Sequence, residues 1–434
     1  MRGVRSWASF VALGAATLAV AVPTRHAPRA DATLDQRAQE FVSLALSLGA
    51  LHAAEVDAYF GPPELQARLK TVPTLGSLRQ QVRKLRAEIE TRDAATDSER
   101  ASRLRAQVQA LEGLVGAIQS REVQAFDEEA RAIYGMRTGV GGTGSATTAL
   151  QTLDQLLPGP DSLVSRLNAY RNRFVVPPDK RHAVFERALS ECRSRTLAHW
   201  TLPANERLDV QWTDEVPAAW HRFEGHARST LSLNVAAVGF LDSAIDVACH
   251  EGYPGHHAQF VILEADAGAS GLAVENTVVL LRSPISMLRE GAANYGVDLV
   301  FPLPDRLAFE RDVLFPLAGF DRSEAARYVE VHRLVAQLSR GIVPIARDYR
   351  DGRLSAVSAR RALESSALVS SPDALLRFVD ELGPYVLGYT AARDNVRDSI
   401  ETRHARSGAD RWTVLRQMLA QADVTALRSD KERR

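Results

Sequence analysis

Apolar side chains recur every three or four residues over most of the chain, which is the spacing of amphipathic helices packed against a core. Segments with this pattern are 34–60, 78–133, 149–199, 241–248, 285–300 and most of the chain that follows. The pattern therefore predicts a mainly α fold of many packed helices.

Two short segments depart from helical spacing. Residues 208–212 have the composition of a short strand, and residues 229–235 alternate polar and apolar side chains with a period of two. We predict a small β element here, and an exposed edge of such an element can bind an extended peptide as an additional strand. His221 and His226 lie close by, and their spacing alone predicts surface positions.

A glycine-rich segment at residues 139–148 divides the chain. A phosphate-binding loop would need a preceding strand and a terminal lysine, and this segment has neither, so we interpret it as a linker or the edge of a cleft. Residues 33–138 then form an N-terminal helical region, and residues 149–434 form the region that carries the candidate chemistry.

The charge balance and the N-terminus bear on partners and location. The 434 residues include 53 basic and 53 acidic side chains, so no overall field attracts nucleic acid or an anionic membrane surface. Residues 1–32 begin with Arg2 and Arg5, followed by a short apolar run and then a polar stretch, which is typical of a secretory signal or N-terminal leader. We expect export to the periplasm or the extracellular space, with an uncleaved membrane anchor as the alternative.

The chain has only two cysteines, Cys192 and Cys249. In an exported protein they can pair as a disulfide. Cys249 directly precedes His250 on a predicted buried helix, however, where a free thiol packs as a small apolar group. We therefore expect two free thiols.

The strongest chemical signal is the segment 250–257, His-Glu-Gly-Tyr-Pro-Gly-His-His, which holds three imidazoles and one carboxylate. Neutral imidazole nitrogens bind zinc, and a glutamate beside the first ligand can act as general base toward the attacking water, as in the His-Glu-x-x-His helix of metallopeptidases. We assign the first ligand to His250 and the general base to Glu251.

The second ligand is harder to assign because the spacing differs from that motif. In an unbroken helix it belongs four residues after His250, and Pro254 occupies that position. Proline has no N–H for the helical hydrogen bond, so we predict a two-residue bulge at Pro254 and Gly255 that delivers His256 to the metal. His257 is the alternative, although it lies about 10 Å along an ideal helix from His250. Otherwise it lies behind the ligands or at the cleft wall.

A helix at residues 285–300 offers the third ligand. Glu290 lies off its apolar stripe, and two histidines with one carboxylate leave a fourth zinc position open. Asn294, one turn later, is expected to reach the ring N–H of a ligand histidine. Three tyrosines are candidates for donating a hydrogen bond to an oxyanion: Tyr295, Tyr385 and Tyr389.

Residues 250–259 read His-Glu-Gly-Tyr-Pro-Gly-His-His-Ala-Gln and resemble the bacterial family named domain of unknown function 885, whose signature is His-Glu-x-x-Pro-Gly-His-His-x-Gln. The segment beginning at Glu290 and the Tyr-x-x-Gly beginning at Tyr385 are similar to further segments of that family. The resemblance implies a mainly helical, exported zinc metallopeptidase of the gluzincin type. It also implies that His250, His256 and Glu290 hold the metal and that Glu251 is the base.

The sequence thus predicts an exported zinc metallopeptidase with one zinc per chain, a peptide substrate, and a small β element beside its cleft. A metal-dependent amidase acting on a non-peptide amide would use the same site. A non-catalytic helical binding protein with a vestigial metal site is the third hypothesis, and Glu251 argues against it because metal binding alone needs no base.

Overall fold

A computed structural model describes residues 29–69, 71–92, 99–120, 124–136, 144–214, 218–268 and 271–428. Most of the predicted leader and residues 139–143 of the glycine-rich segment lie outside these ranges. Within them, no helix has the combination of length and apolar character needed to cross a membrane.

The first part of the chain is helical. Its helices are α1 (Arg29–Leu51), α2 (Pro63–Ala67), α3 (Leu75–Arg92), α4 (Glu99–Gln119), α5 (Phe126–Tyr134), α6 (Gly144–Leu156), α7 (Leu163–Asn172) and α8 (Arg181–Leu197), with strand β1 (Val56–Tyr59) after α1. Helix α6 begins inside the predicted linker, so the last part of that linker is helical. The predicted helix at 34–60 is too long, because the chain leaves the helix after Leu51.

A three-stranded sheet follows, formed by β2 (Arg207–Thr213), β3 (Ala219–Gly225) and β4 (Arg228–Asn234). The strand order is β2-β4-β3, with β2 parallel and β3 antiparallel to β4. The sequence predicted β2 and β4 but not β3. Because β4 is the central strand, both of its edges are paired, and the edge that could receive a peptide belongs to β3.

The remaining chain returns to helices and carries the metal-binding segment. Its elements are α9 (Leu241–Val247), α10 (His256–Asp266), β5 (Val278–Leu280), α11 (Pro284–Val300), α12 (Leu303–Phe309), α13 (Phe315–Ala318), α14 (Ala325–Leu338), α15 (Ile342–Arg350), α16 (Ala356–Ser366), α17 (Pro372–Leu382), α18 (Ala391–Ser407) and α19 (Arg411–Ala420). A short 3₁₀ helix, Gly383–Tyr389, connects α17 to α18. The predicted fold class, mainly α with a small β element, is confirmed.

The N-terminal region and the predicted catalytic region share one hydrophobic core. That core extends from Leu34 in α1 to Leu427 near the C-terminus. Strand β1 pairs antiparallel with β5, and the buried Glu55 just before β1 forms an ion pair with Arg282 just after β5. The boundary at residues 139–148 therefore does not separate two independent cores.

A disulfide joins Cys192 in α8 to Cys249, with the two Cα atoms 5.4 Å apart. The expectation of two free thiols is therefore wrong. The sequence showed that Cys249 is buried, but it could not show that α8 packs against the segment containing Cys249. The disulfide ties the residue that precedes His250 to a neighbouring helix.

Removing this disulfide in a Cys192→Ala/Cys249→Ala variant is expected to lower the free energy of unfolding by about 4 kcal/mol. The bond closes a loop with a sequence separation of 57 residues, which restricts the unfolded chain. Urea unfolding measures the effect, and each single variant serves as a control that should lose as much as the double. Labelling of both thiols in the unreduced, denatured protein would contradict the pairing.

Candidate metal centre

The metal-binding segment consists of two helical parts joined by three non-helical residues, Tyr253, Pro254 and Gly255. Helix α9 continues into a π-helical turn, Ala248–Gly252, and α10 begins at His256. Between them the Gly255 N–H donates to the carbonyl of Cys249 at 3.0 Å, six residues back instead of the usual four. This hydrogen bond spans two more residues than a helical one, in line with the predicted bulge at Pro254 and Gly255, but the connection also includes the extended Tyr253.

Glycine is needed at position 255 because the backbone passes very close to the first histidine. A Cβ atom there would lie 1.7 Å from the carbonyl oxygen of His250. The close approach brings the rings of His250 and His256 together, with centroids 4.7 Å apart and planes nearly perpendicular. The two imidazoles therefore face the same point from different directions.

Helix α11 supplies the carboxylate. It begins with Ser283, whose side chain accepts a hydrogen bond from the Ser286 N–H, and with Pro284 in its first turn, both favourable at a helix start. Glu290 lies 3.5 Å from Nε2 of His250 through Oε2 and 3.3 Å from Nε2 of His256 through Oε1. One ligand atom from each of these residues lies within 4.8 Å of the others.

This donor set fits a divalent cation. Glu290 Oε2 is buried without a hydrogen-bond partner, while Oε1 accepts a hydrogen bond from the Tyr385 hydroxyl at 3.1 Å. Burial alone would raise the pKa of Glu290, but its hydrogen bond with His256 and the charges of His256 and His250 lower it to about 2. The carboxylate is therefore ionised, and an otherwise unsatisfied oxygen is directed toward the two histidines.

Glu251 lies beside this group. Its Oε1 atom is 4.0 Å from Nε2 of His250, and its half-buried side chain lines the same cleft. Because it follows the first ligand directly in sequence, its carboxylate can reach a water molecule near the metal without competing for a ligand position.

His257 is excluded as a ligand by its environment. The side chain is 0% exposed, with Nδ1 hydrogen-bonded to Ser229 Oγ and Nε2 to Glu206 Oε1, both at 2.8 Å. Glu206 also accepts hydrogen bonds from Tyr253 and Arg193. Burial alone would raise the pKa of Glu206, but these hydrogen bonds, led by that of His257, lower it to about 2. His257 thus joins α10 to the sheet and does not border the cleft.

Asn294 and Tyr295 do not lie where their predicted roles would require. The Asn294 side-chain amide donates to the backbone carbonyls of Glu290 and Gly388, at 2.9 and 3.4 Å, so among the described residues it contacts no ligand histidine. The Tyr295 hydroxyl lies 3.4 Å from Glu401 and borders a different cavity. Tyr295 therefore cannot serve an oxyanion at this site.

The other two tyrosines border the cleft from the 3₁₀ helix. The hydroxyl of Tyr385 is buried against Glu290, which makes it a group that positions the carboxylate. Tyr389 is 45% exposed, and partial burial together with the Glu290 and Glu251 carboxylates raises its pKa. Its phenol therefore remains protonated and available as a hydrogen-bond donor.

The cleft has a volume of about 620 Å³, within the range of small-molecule and peptide sites. It is bordered by the β3 edge, the segment from α9 to α10, α11 and the 3₁₀ helix. Asp57 of β1 also borders it and accepts a hydrogen bond from Trp220 Nε1 at 3.3 Å. A residue of the N-terminal region thus reaches the site, and nothing in the local sequence indicated this.

His221 was predicted at the surface but is buried in the wall of the cleft. Its ring stacks on Phe260, with centroids 5.7 Å apart, and lies 6.0 Å from the ring of His256. Burial and the neighbouring histidines lower its pKa well below the usual value. The alternation along β3 could have revealed it, because His221 and Phe223 are buried while Trp220 and Arg222 are exposed. His226 is exposed, as predicted.

Comparison with solved structures finds a similar fold in "the putative lipoprotein from Colwellia psychrerythraea". The TM-score is 0.50 and the sequence identity 15%, over 84% of this chain and 68% of the other. At that identity the likeness concerns the fold alone. No known sequence family and no curated protein matches the chain.

Proposed function

We propose that this protein is a zinc-dependent metallopeptidase. The observation that carries the proposal is the convergence of His250, His256 and Glu290 within 4.8 Å of one another, in a cleft that Glu251 also borders. Two imidazoles and one carboxylate are a donor set that catalytic zinc sites use, and three protein ligands leave one position open. Bound there, zinc would supply a Lewis acid that polarises the scissile carbonyl and increases the acidity of water.

The protein's own groups would move the protons. Glu251 accepts a proton from the attacking water at its carboxylate and delivers it to the nitrogen of the leaving amine. Tyr389 donates a hydrogen bond to the carbonyl oxygen as negative charge develops there. Tyr385 holds Glu290 in place through its hydroxyl.

The sheet supports a peptide as the substrate. In the described part of the chain, β3 pairs with β4 on one side only, and its residues Trp220 and His221 border the cleft. The other edge of β3 offers backbone hydrogen bonds to an extended chain, which would be fixed beside the metal group. This arrangement favours a peptidase over an amidase that acts on a compact, non-peptide amide.

Two further observations agree with this proposal. The resemblance of residues 250–259 to the domain of unknown function 885 family implies the same ligands and base. The structural neighbour is described as a "putative lipoprotein", and this description and the signal-like pattern of residues 1–32 support an exported protein in the periplasm or outside the cell.

Metal analysis combined with digestion of a peptide library tests the proposal. We expect one zinc per chain and peptide cleavage that a chelator abolishes and added zinc restores. The control is the same protein with the chelator removed by dialysis before zinc is added. A zinc-loaded protein that hydrolyses non-peptide amides but no peptide would be an amidase. Failure on both substrate classes would favour a binding protein.

A further inference from the structure

Three arginines border the cleft, and their partners differ. Arg306 forms ion pairs with Asp246 and Glu310, at 2.7 and 2.8 Å. Arg393 forms an ion pair with Asp298. Arg289 forms no ion pair or side-chain hydrogen bond with any residue that the structure describes, and its Nη1 atom is buried without a partner.

The environment of Arg289 makes this absence informative. Arg289 is only 7% exposed, and its guanidinium lies over the Phe260 ring at 4.1 Å from the ring centroid. Stacking on Phe260 holds the guanidinium in place, but the ring accepts no hydrogen bond from the N–H groups that lie in the guanidinium plane. A buried cation without a hydrogen-bonded partner is strongly unfavourable, so proteins keep one where a ligand completes it.

Arg289 lies next to the metal group. It directly precedes Glu290 on α11, while Phe260 lies one helical turn after His256 on α10. The surrounding wall, which includes His221 and Phe260, is buried, whereas Tyr389 at another part of the cleft is well exposed. Arg289 thus borders the cleft from a wall of buried side chains.

The Asp57 carboxylate acts electrostatically on Arg289, but it does not neutralise the guanidinium through contact. Its carboxylate accepts the Trp220 hydrogen bond and forms no ion pair with Arg289. It acts on the guanidinium only across a distance. Arg289 thus borders the cleft with no carboxylate of a described residue in contact with its guanidinium.

We propose that Arg289 binds the terminal carboxylate of the peptide substrate, which would make the protein a carboxypeptidase. Two parallel N–H donors of a guanidinium match the two oxygens of a carboxylate. A terminal carboxylate lies one residue, roughly 4 Å, beyond the last peptide bond, so it can reach a cation beside the metal group while that bond lies over the metal.

This inference rests on the proposed function and names its substrate class. Water forms a new C–O bond at the last peptide carbonyl, the C–N bond breaks, and the departing nitrogen receives the proton from Glu251. One free C-terminal amino acid is released in each turnover.

The test uses N-terminally labelled pentapeptide libraries in three forms: with a free C-terminal acid, with a C-terminal amide, and with a C-terminal amide whose last residue is glutamate. Binding is measured by fluorescence anisotropy on zinc-loaded Glu251→Gln protein, which separates recognition from hydrolysis. We expect the free acid to bind about 10- to 100-fold more tightly than the plain amide, the range for hydrogen bonds between charged groups.

The Arg289→Met variant should reduce that preference to within about twofold while leaving amide binding unchanged. Arg393→Gln, which removes a paired arginine of the same cleft, should retain the full preference. Arg289→Lys keeps the charge without the planar fork and should retain part of it. Circular dichroism and zinc content check that each variant is folded and loaded.

An unchanged acid preference in Arg289→Met, or no preference in the parent protein, would overturn the proposal. So would equal binding of the glutamate amide and the free acid, because Arg289 would then serve an acidic side chain. If the Arg289-dependent preference holds but the Glu251-containing protein hydrolyses no peptide, the carboxylate site stands and the peptidase assignment fails. Release of single C-terminal amino acids by that protein would support both.

Discussion

Replacing His256 with alanine is expected to abolish zinc binding and hydrolysis, whereas replacing His257 with alanine should leave zinc in place. His256 Nε2 lies 3.3 Å from Glu290, while both ring nitrogens of His257 are already hydrogen-bonded to Ser229 and Glu206. Loss of a ligand should weaken zinc affinity by more than the roughly 10- to 100-fold that follows from loss of a group supporting a ligand. Metal analysis and chelator competition measure the difference.

The two variants should also differ in stability. The His257→Ala variant removes the hydrogen bond of His257 to Ser229 and one of the three side-chain hydrogen bonds of Glu206, so its free energy of unfolding should fall by about 1 to 3 kcal/mol. The metal-free His256→Ala protein should unfold at a urea concentration close to that of the metal-free parent. If His257→Ala lost the zinc and His256→Ala kept it, the ligand assignment would be reversed.

Replacing Glu251 with glutamine is expected to lower kcat by about 10² to 10⁴-fold, the usual contribution of a general base. The amide has the same shape as the carboxylate but cannot accept the proton. Because Glu251 is not among the grouped ligand residues, the variant should retain one zinc per chain. Digestion of a peptide that the parent protein cleaves, quenched at set times, gives the rate. Metal analysis gives the zinc content.

The matched control is Asp298→Asn, which makes the same chemical change in another carboxylate that borders the cleft. Asp298 is paired with Arg393 and partly exposed, so its loss should change turnover by less than about twofold, in line with the small energies of exposed ion pairs. Near-normal turnover in Glu251→Gln would remove Glu251 as the base. Loss of its zinc would instead make it a metal-supporting residue.

Much of the candidate site was predictable because its geometry is local. The choice of His256 depended on the short-range consequence of inserting Pro254 and Gly255 into a helix, and the hydrogen bond from Gly255 to Cys249 has that form. Glu290 was predictable because a two-histidine site needs a third ligand, and Glu290 is an acidic residue on a predicted helix shortly downstream. The same reasoning predicted most helices and the strands β2 and β4, since hydrophobic spacing reports the face that each element buries.

What the sequence could not determine depends on which elements meet. Residues 56–59 leave the helical pattern because they pair with β5, and Cys249 forms a disulfide because α8 packs beside it. Likewise Tyr295 and Tyr385 were equal candidates on sequence grounds. In the structure the hydroxyl of Tyr295 lies beside Glu401, whereas the fold brings the hydroxyl of Tyr385 to Glu290.

The sequence by itself thus determined the fold class and indicated the pair His250 and His256 and the candidate general base Glu251, because each follows from the spacing of residues a few positions apart. The tertiary structure alone decided that His257 bonds to Glu206, that Asp57 and His221 reach the cleft, and that the buried Arg289 forms no ion pair with any residue the structure describes. These features arise from contacts between segments far apart in the chain, where local periodicity carries no information about the partner.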